Sequence, residues 1–305
     1  MSPKDIVDSI LRLLEIVVSW PVILICTILI VRKELPSLLT KLSERLTKAP
    51  GGFEFSALQQ RVETISAKVE ELEKAKFEPS GALTPDLQAH LQSAFEAFQA
   101  YLIHLGYKST AEKVTIHVDP ALKDNVYYDN QRIVLGAPLA RDTDAFFREY
   151  THHALLSGVD YAALSEDQRA VESGLADYFP CSFNHDPLFG EKSIHLFRKY
   201  PGMAKKKAIR VLNNHRKFTE AAAQRGHHDV GEIWGGVLWE LRGILGIEAA
   251  DQMAFSAWEA MLPIEKAGNF KLTFAKQLTQ EARKLTDGDQ SSEVVEVLKR
   301  RGLKV

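Results

Sequence analysis

Residues 146–156, with the sequence FFREYTHHALL, decide how the rest of the chain is interpreted. In a helix, positions 148 and 152 lie on one face, where two histidines with an adjacent glutamate would form a zinc-peptidase motif. Glu149 occupies the general-base position and His152 the second-ligand position, but Arg148 stands at the first-ligand position. A guanidinium has no lone pair to offer a metal and stays protonated in proteins. The pattern therefore indicates a zinc-site helix that has lost one ligand.

The composition is typical of a globular chain. It has 305 residues, of which 45% are hydrophobic, and a formal net charge of -2. This length allows one sizeable domain with appendages. The charge gives no reason to expect a nucleic-acid partner. Cys26 and Cys181 lie far apart in different kinds of segment, so we expect no disulfide framework.

Residues 1–34 are predicted to form an N-terminal transmembrane anchor. No charged residue occurs from Ile16 to Val31, a run near the lower limit for a membrane span, and Trp20 is expected toward one interface. The alternative is a buried core helix, although the neighbouring segments are too polar to bury it. Lys and Arg are more frequent after the span than before it. This bias predicts a single-pass membrane protein whose larger, C-terminal part is cytoplasmic.

Residues 35–80 are interpreted as a connector of amphipathic and coiled-coil helix. Leucines recur at helical spacing from Leu35 to Leu46, and this stretch lies either along an anionic membrane surface or on the following domain. A heptad pattern follows at Leu58, Val62, Ile65, Val69 and Leu72. It predicts a homodimeric coiled coil through residues 56–76, with a single amphipathic helix as the alternative. The sequence FEPSG at 77–81 predicts the linker to the main domain.

Residues 81–305 are predicted to form an α+β, mostly helical domain, with a small sheet before a helical half. An N-cap at Thr84 and a glycine stop at Gly106 bound the first helix. Residues 114–118 alternate as a strand, and two more strands flank a turn at 129–130. A capping box at Ser165 starts a helix that runs to Phe179. Further helices are predicted at about 191–199, 203–224, 231–246, 248–262, 271–287 and 291–301.

Four motifs in this order resemble the thermolysin-like branch of the gluzincin metallopeptidases. They are NVYYD at 125–129, REYTHH at 148–153, GLADYF at 174–179, and HHDVGEIW at 227–234. The second resembles the family's His-Glu-Tyr-Thr-His-His helix with one change. The resemblance implies a gluzincin-like peptidase fold over this part of the chain.

The resemblance also implies roles for individual residues. Asn125, Val126 and Tyr127 match the edge strand that holds peptide substrate by strand addition. Glu149 matches the general base, and His227 with His228 match the histidine that stabilises the transition state. Tyr161 stands roughly where the family carries a catalytic tyrosine.

Two of the three zinc ligands that the resemblance implies are replaced. The third ligand would stand at position 173, which is Ser173. Glu172 lies about 100° round the helix, so it should not point to the same place unless the helix is distorted. Asp177 matches the carboxylate that orients the first ligand. With Arg148 in that ligand's position, we expect an Arg148–Asp177 ion pair to fill the space of the metal.

Three functional hypotheses remain open. The first is a membrane-anchored pseudopeptidase that binds a polypeptide or protein partner and holds less than stoichiometric zinc. The second is a divergent zinc endopeptidase that uses His152, Glu172 and one further ligand, with Glu149 as general base. The third is a scaffold whose coiled coil and helical half hold a membrane complex together. In a purely structural alternative, His152 is a hydrogen-bonded core histidine.

Overall fold

The computed structural model of the protein describes residues 77–81, 83–108, 114–129, 132–156, 159–218, 226–262, 269–285 and 290–304. The predicted transmembrane anchor, the amphipathic stretch after it and the predicted coiled coil lie outside these ranges. Within the ranges described, no helix combines the length and the apolar character needed to cross a membrane.

A four-stranded sheet contains β1 (Phe77–Gly81), β2 (Val114–Asp119), β3 (Val126–Asp129) and β4 (Arg132–Gly136). The strands lie in the order β1-β2-β4-β3. β1, β2 and β4 are parallel, whereas β3 is antiparallel to β4. The predicted strands at 114–118 and around the turn at 129–130 are thus confirmed. β3 pairs with a single neighbour, so it forms one edge of this sheet.

The interpretation of residues 77–81 as a linker was wrong, because they form β1. Phe77 lies opposite Val114 and Gly81 opposite Val118. Pro79 lacks a backbone N–H, which an edge strand with one neighbour tolerates. Gly81 has a φ of +89°, and a Cβ built there would lie 2.2 Å from the carbonyl oxygen of Val118. Glycine is therefore needed where β1 ends.

Helices make up most of the described chain, which is α+β and mostly helical as predicted. They are α1 (Pro85–Leu105), α2 (Thr143–Leu156), α3 (Glu166–Asn184), α4 (Ile194–Phe197), α5 (His227–Leu245), α6 (Ile247–Glu259), α7 (Phe270–Leu285) and α8 (Ser291–Arg300). Three single turns of 3-10 helix lie at Pro120–Leu122, Ala137–Leu139 and Tyr161–Ala163.

The helix boundaries predicted from capping residues are largely confirmed. The Thr84 side chain accepts a hydrogen bond from the backbone of Leu87 at the start of α1, and Gly106 ends that helix in the left-handed conformation. Ser165 forms the predicted capping box of α3 with Gln168. α3 nevertheless runs beyond its predicted end at Phe179. Pro180 lies inside the helix, which continues as far as Asn184.

The predicted helix at 203–224 was wrong for residues 203–218; the rest lies outside the described ranges. This segment consists of turns and β6 (Arg210–Val211), which pairs antiparallel with β5 (Leu188–Phe189). The prediction of a purely helical half after the small sheet was therefore wrong at these two strands. Alanine and three consecutive lysines give the segment local helix propensity, but propensity is a weak determinant that tertiary contacts override.

The contacts that hold this segment extended come from distant parts of the chain. The Asn214 side chain donates to the carbonyl oxygens of Val211 and Glu232, at 2.8 and 3.1 Å. The buried Arg301 guanidinium donates to the carbonyl oxygens of Asn214 and Gly236, at 2.5 and 3.1 Å. Carbonyl groups that a helix would satisfy internally are thus paired with side chains, which fixes β6 beside α3 and α5.

α3 and α5 approach each other closely at Gly174. A Cβ built on Gly174 would lie 2.5 Å from the Cβ of Trp234 and 2.8 Å from the carbonyl oxygen of Gly231. A Cβ on Gly231 would likewise lie 3.0 Å from the Oγ of Ser173. These small residues bring the N-terminal turns of α5 directly against the middle of α3. They therefore place the His227–His228 pair next to the residues that face α2.

Candidate functional site

The candidate site is a buried cluster of charged residues between α2 and α3. α2 contributes Arg148, Glu149 and His152, and α3 contributes Glu172 and Asp177. Except for Arg148, whose side chain is 16% exposed, these residues are buried. Charged groups are costly to bury unless they are paired, so their partners decide the chemistry of the cluster.

Arg148 lies at the centre of the cluster and donates hydrogen bonds to two carboxylates. Its Nε donates to Oδ1 of Asp177 at 2.9 Å, and one terminal nitrogen donates to Oε1 of Glu149 at 2.8 Å. The predicted Arg148–Asp177 ion pair is therefore confirmed. Burial acts to lower the pKa of Arg148, but the carboxylates of Glu149, Asp177 and Glu172 outweigh it and hold the pKa above its ordinary value. The guanidinium stays charged.

A second arginine, Arg210 of β6, faces Asp177 from the opposite side. Its Nε lies 3.6 Å from Oδ2 of Asp177, and neither atom has a hydrogen-bond partner among the described residues. Sequence analysis missed Arg210, because it placed this segment in a helix. No motif marks this arginine; only the long-range contacts that make β6 an extended segment bring it to the cluster.

The imidazole of His152 is paired with the carboxylate of Glu172. Oε1 of Glu172 contacts Nδ1 of His152 in a buried pair. Glu172 was expected to point away from the third-ligand position unless the helix is distorted; in the structure its carboxylate reaches His152 of α2. The neighbouring residues Glu172 and Ser173 of α3 therefore contact different helices. Glu172 pairs with α2, and Ser173 faces α5.

Ser173, at the position that the resemblance assigns to the third ligand, contacts His228 of α5. Its Oγ lies 3.1 Å from Nδ1 of His228. Burial lowers the pKa of His228 to about 4, and the charge of Arg148 adds to the effect. His228 is therefore neutral at pH 7 and has one N–H donor and one acceptor nitrogen.

His227 lies beside His228 and contacts a different set of residues. The two imidazole rings have their centroids 4.2 Å apart. The ring nitrogens of His227 lie 3.3 Å from Oε2 of Glu166 and 3.4 Å from the hydroxyl of Tyr161. The three-dimensional arrangement thus separates the predicted histidine pair. His228 contacts the buried cluster through Ser173 but is itself exposed, whereas the half-buried His227 contacts Glu166 and the exposed Tyr161.

β3 runs along the same side of the domain as α2, and its outer edge is unpaired in the sheet. The backbone N–H of Gly136 donates to the carbonyl of Asn125, so these two residues form a hydrogen-bonded pair. In an antiparallel ladder, hydrogen-bonded and non-hydrogen-bonded residue pairs alternate along the strands. Val126 and Tyr128 therefore turn their N–H and C=O groups away from β4. The backbone of Tyr127 pairs with β4, and its side chain is exposed.

Two details of this edge modify the predicted substrate-binding set. The side chain of Asn125 already accepts a hydrogen bond from the N–H of Val126 at 3.0 Å, which leaves the Val126 carbonyl for a partner strand. Tyr128, which sequence analysis did not assign to the site, has the same backbone orientation relative to β4 as Val126. The alternation of a strand could have identified it, but only once the register with β4 was known.

The family resemblance implies a zinc ion at the position of the Arg148 guanidinium, and the residues there do not fit one. Arg148 fills the space between Glu149 and Asp177, and Ser173 offers only a hydroxyl, so His152 is left as the one motif residue with a nitrogen ligand. Zinc sites normally need three protein ligands. In the part of the chain that the structure describes, no three His, Cys, Asp or Glu side chains are grouped so that they could hold a metal ion.

Comparison with known proteins adds no family assignment. No protein-family model matches the chain, and no curated protein matches it. What the chain does must therefore be inferred from the geometry of the cluster and of β3.

Proposed function

We propose that this protein is a gluzincin-like pseudopeptidase that binds an extended polypeptide along β3 without hydrolysing it. One observation carries the proposal, namely that Arg148 forms ion pairs with both Glu149 and Asp177 where the family resemblance implies a metal. The proposal includes anchoring of the domain to a membrane by residues 1–34, with the domain on the cytoplasmic side. It also includes pairing of two chains through residues 56–76.

The ion pair of Glu149 argues against hydrolysis. A general base in a peptidase must take a proton from the attacking water, so its carboxylate has to reach that water. Glu149 is 3% exposed and its Oε1 accepts a hydrogen bond from Arg148. A base held by a guanidinium and shielded from solvent is poorly placed for proton transfer.

The edge of β3 supports peptide binding. An extended peptide can add to a sheet edge through backbone hydrogen bonds. Val126 and Tyr128 point their backbone groups outward there. Among the cluster residues, Arg148 keeps one terminal nitrogen without a hydrogen bond to any described residue, and Arg210 and neutral His228 are further donors close to it. These groups can bind a backbone carbonyl but cannot replace a Lewis acid.

One observation favours the second candidate, a divergent zinc endopeptidase. Oε2 of Glu172 is buried beside His152 and has no hydrogen-bond partner among the described residues. A buried carboxylate oxygen without a partner is uncommon, and an ion or a water molecule would satisfy it. In this alternative Glu172 and His152 are two ligands, and a third residue must still move to the site.

The test uses the full chain in detergent micelles with fluorescent peptides that contain no proline. We expect saturable binding, measured by polarisation, and no cleavage of the peptides by mass spectrometry after prolonged incubation. N-methylation of every second peptide residue provides the control. It should abolish binding in one register and spare it in the other, because only alternate N–H groups face β3. Absence of binding, equal tolerance of both registers, or cleavage that a chelator stops would each contradict the proposal.

A further inference from the structure

Residues 198–217 form a strongly basic segment in an otherwise acidic chain. Eight of the 38 Lys and Arg residues lie within it, but none of the 40 Asp and Glu residues does. Three of the eight pair with carboxylates of other segments; they are Lys199, Arg210 and Arg216. The other five are exposed and have no ion pair with any described residue; they are Arg198, Lys205, Lys206, Lys207 and Lys217. Their charge is therefore available to a partner.

Contacts with distant residues hold the backbone of this segment in place. On one side of the three lysines at 205–207, the hydroxyl of Tyr200 donates to Oδ2 of Asp124 at 2.9 Å. Asp124 is the residue immediately before the predicted substrate-binding set. On the other side, the N–H of Ile209 donates to the carbonyl of Phe189 at 3.0 Å. The lysines thus extend from a backbone that a partner does not have to order first.

Lys206 and Lys207 line a cavity of about 600 Å³ that is open to solvent beside β5 and β6. Pro187, Leu188 and Val211 contribute its apolar lining. Ligand-binding pockets have volumes of about 300–1000 Å³, and this cavity is of that size. It combines two cationic side chains with an apolar surface, which a ligand with both acidic and apolar groups would match.

Two carboxylates also line the cavity, but they do not cancel its positive charge. Glu232 is paired with Arg216, whose terminal nitrogen lies 2.6 Å from Oε2. Asp186 accepts a hydrogen bond from a backbone N–H at 2.9 Å. With Glu232 paired, the single charge of Asp186 stands against those of Lys206 and Lys207. The wall of the cavity therefore attracts an anionic ligand.

We infer that this segment and its cavity bind an acidic stretch of a polypeptide, with an apolar side chain of that stretch inside the cavity. The inference rests on the proposed function and specifies the class of polypeptide. Carboxylates of the ligand pair with Lys206 and Lys207, and its apolar side chain contacts Leu188 and Val211. An anionic membrane surface would match the charge, but a flat surface cannot fill a cavity. The concave, partly apolar shape favours a polypeptide.

The test measures the affinity of three fluorescent peptides for the full chain in detergent micelles, by polarisation. The first peptide contains glutamate and leucine, the second has serine in place of leucine, and the third has lysine in place of glutamate. Binding to empty micelles is subtracted. We expect the first peptide to bind most tightly and the third most weakly. The Kd of the first should rise with salt concentration, because salt screens exposed charges.

Charge variants of the chain locate the binding site. Lys206→Gln with Lys207→Gln should weaken binding of the first peptide roughly three- to thirtyfold, the equivalent of two exposed ion pairs. Lys276→Gln with Lys299→Gln is the matched control. It changes the net charge equally at exposed lysines of α7 and α8 that do not line the cavity, and should leave the Kd unchanged. An unchanged Tm in each variant verifies that the fold is intact.

Several outcomes would overturn the inference while the proposed function stands. They are equal affinities for the first peptide and either of the other two, or equal effects of the two pairs of lysine substitutions. In a third, acetylation of Lys206 and Lys207 in the nanodisc-bound chain is slowed by phosphatidylserine and not by the first peptide. That result would assign the segment to the membrane surface. If the wild type binds none of the peptides, the proposed function and the inference both fail.

Discussion

Replacing Arg148 with alanine removes the cation that neutralises the buried cluster. Two ion pairs are lost, to Asp177 and Glu149, whose side chains are only 2% and 3% exposed. Removing one partner of a buried pair leaves an uncompensated charge and typically costs about 3–5 kcal/mol. Asp177 retains Arg210 within 3.6 Å, whereas Glu149 loses its only charged partner in the described structure. We therefore expect a loss of about 3–5 kcal/mol, a large fraction of a typical domain's stability.

The assay is urea unfolding of the full chain, followed by tryptophan fluorescence, to which the buried Trp234 and Trp258 contribute. Arg132→Ala is the matched control, because Arg132 also forms an ion pair, with Asp129 at 3.1 Å, but its side chain is 51% exposed. Exposed pairs contribute about 1 kcal/mol or less. Arg148→Lys should fall between the two, since one ammonium cannot bind both carboxylates with the fork of a guanidinium.

The reasoning fails if Arg148→Ala destabilises the protein no more than Arg132→Ala does. Such a result would mean that the cluster does not need a cation at position 148. A variant that is unfolded in buffer would agree with the expected magnitude. Arg148→Lys would then supply the measurable difference.

Three further predictions concern other parts of the fold. Gly174→Ala should destabilise the protein by about 1–3 kcal/mol, because the added methyl group meets Trp234 and the backbone of α5. Burial raises the pKa of Asp144 from 3.8 to about 6, so folding favours the protonated carboxyl. The free energy of unfolding should accordingly decrease as the pH rises from about 4 to 6 and should change little above pH 6. Asp144→Asn should reduce this dependence on pH. Asp251→Asn should cost on the order of 3 kcal/mol, because Asp251 accepts hydrogen bonds from the hydroxyls of Tyr101, Tyr178 and Ser182.

Each of these has an outcome that contradicts it. For the glycine, the control is Gly243→Ala on α5. A Cβ there would meet no other described part of the chain within 4 Å, apart from its own turn of the helix, so alanine should stabilise the helix. Equal effects of the two substitutions would show that α3 and α5 are not in close contact. An unchanged pH slope in Asp144→Asn would exclude Asp144 as its source. A loss under about 1 kcal/mol for Asp251→Asn would mean that the hydroxyl donors find other acceptors.

Local signals in the sequence predicted the elements that depend on local physics. The caps at Thr84, Gly106 and Ser165 satisfy backbone groups of neighbouring residues, and the structure places them as expected. The Arg148–Asp177 contact was also predictable. The resemblance implied it, because Asp177 matches the carboxylate that orients the residue at position 148, and a buried guanidinium has to be paired.

The features that sequence analysis missed depend on contacts between distant residues. β1 exists because Phe77 and its neighbours pair with β2, although Pro79 and Gly81 are locally typical of a linker. β6 exists because Asn214 and Arg301 bind carbonyl groups that a helix would have used, and Arg210 reaches Asp177 only as a result. The spacing of residue types along the sequence could not reveal β1 or β6.

The zinc content of the purified protein tests most directly whether Arg148 takes the place of a metal. The full chain is exposed to zinc, freed of loosely bound metal by a weak chelator, and analysed for metal per chain. Arg148→His with Ser173→Glu restores the missing ligand types and serves as the comparison, in which we expect zinc to be retained. For the wild type we expect much less than one zinc per chain. One tightly bound zinc per wild-type chain, removable only by a strong chelator, would contradict the pseudopeptidase proposal.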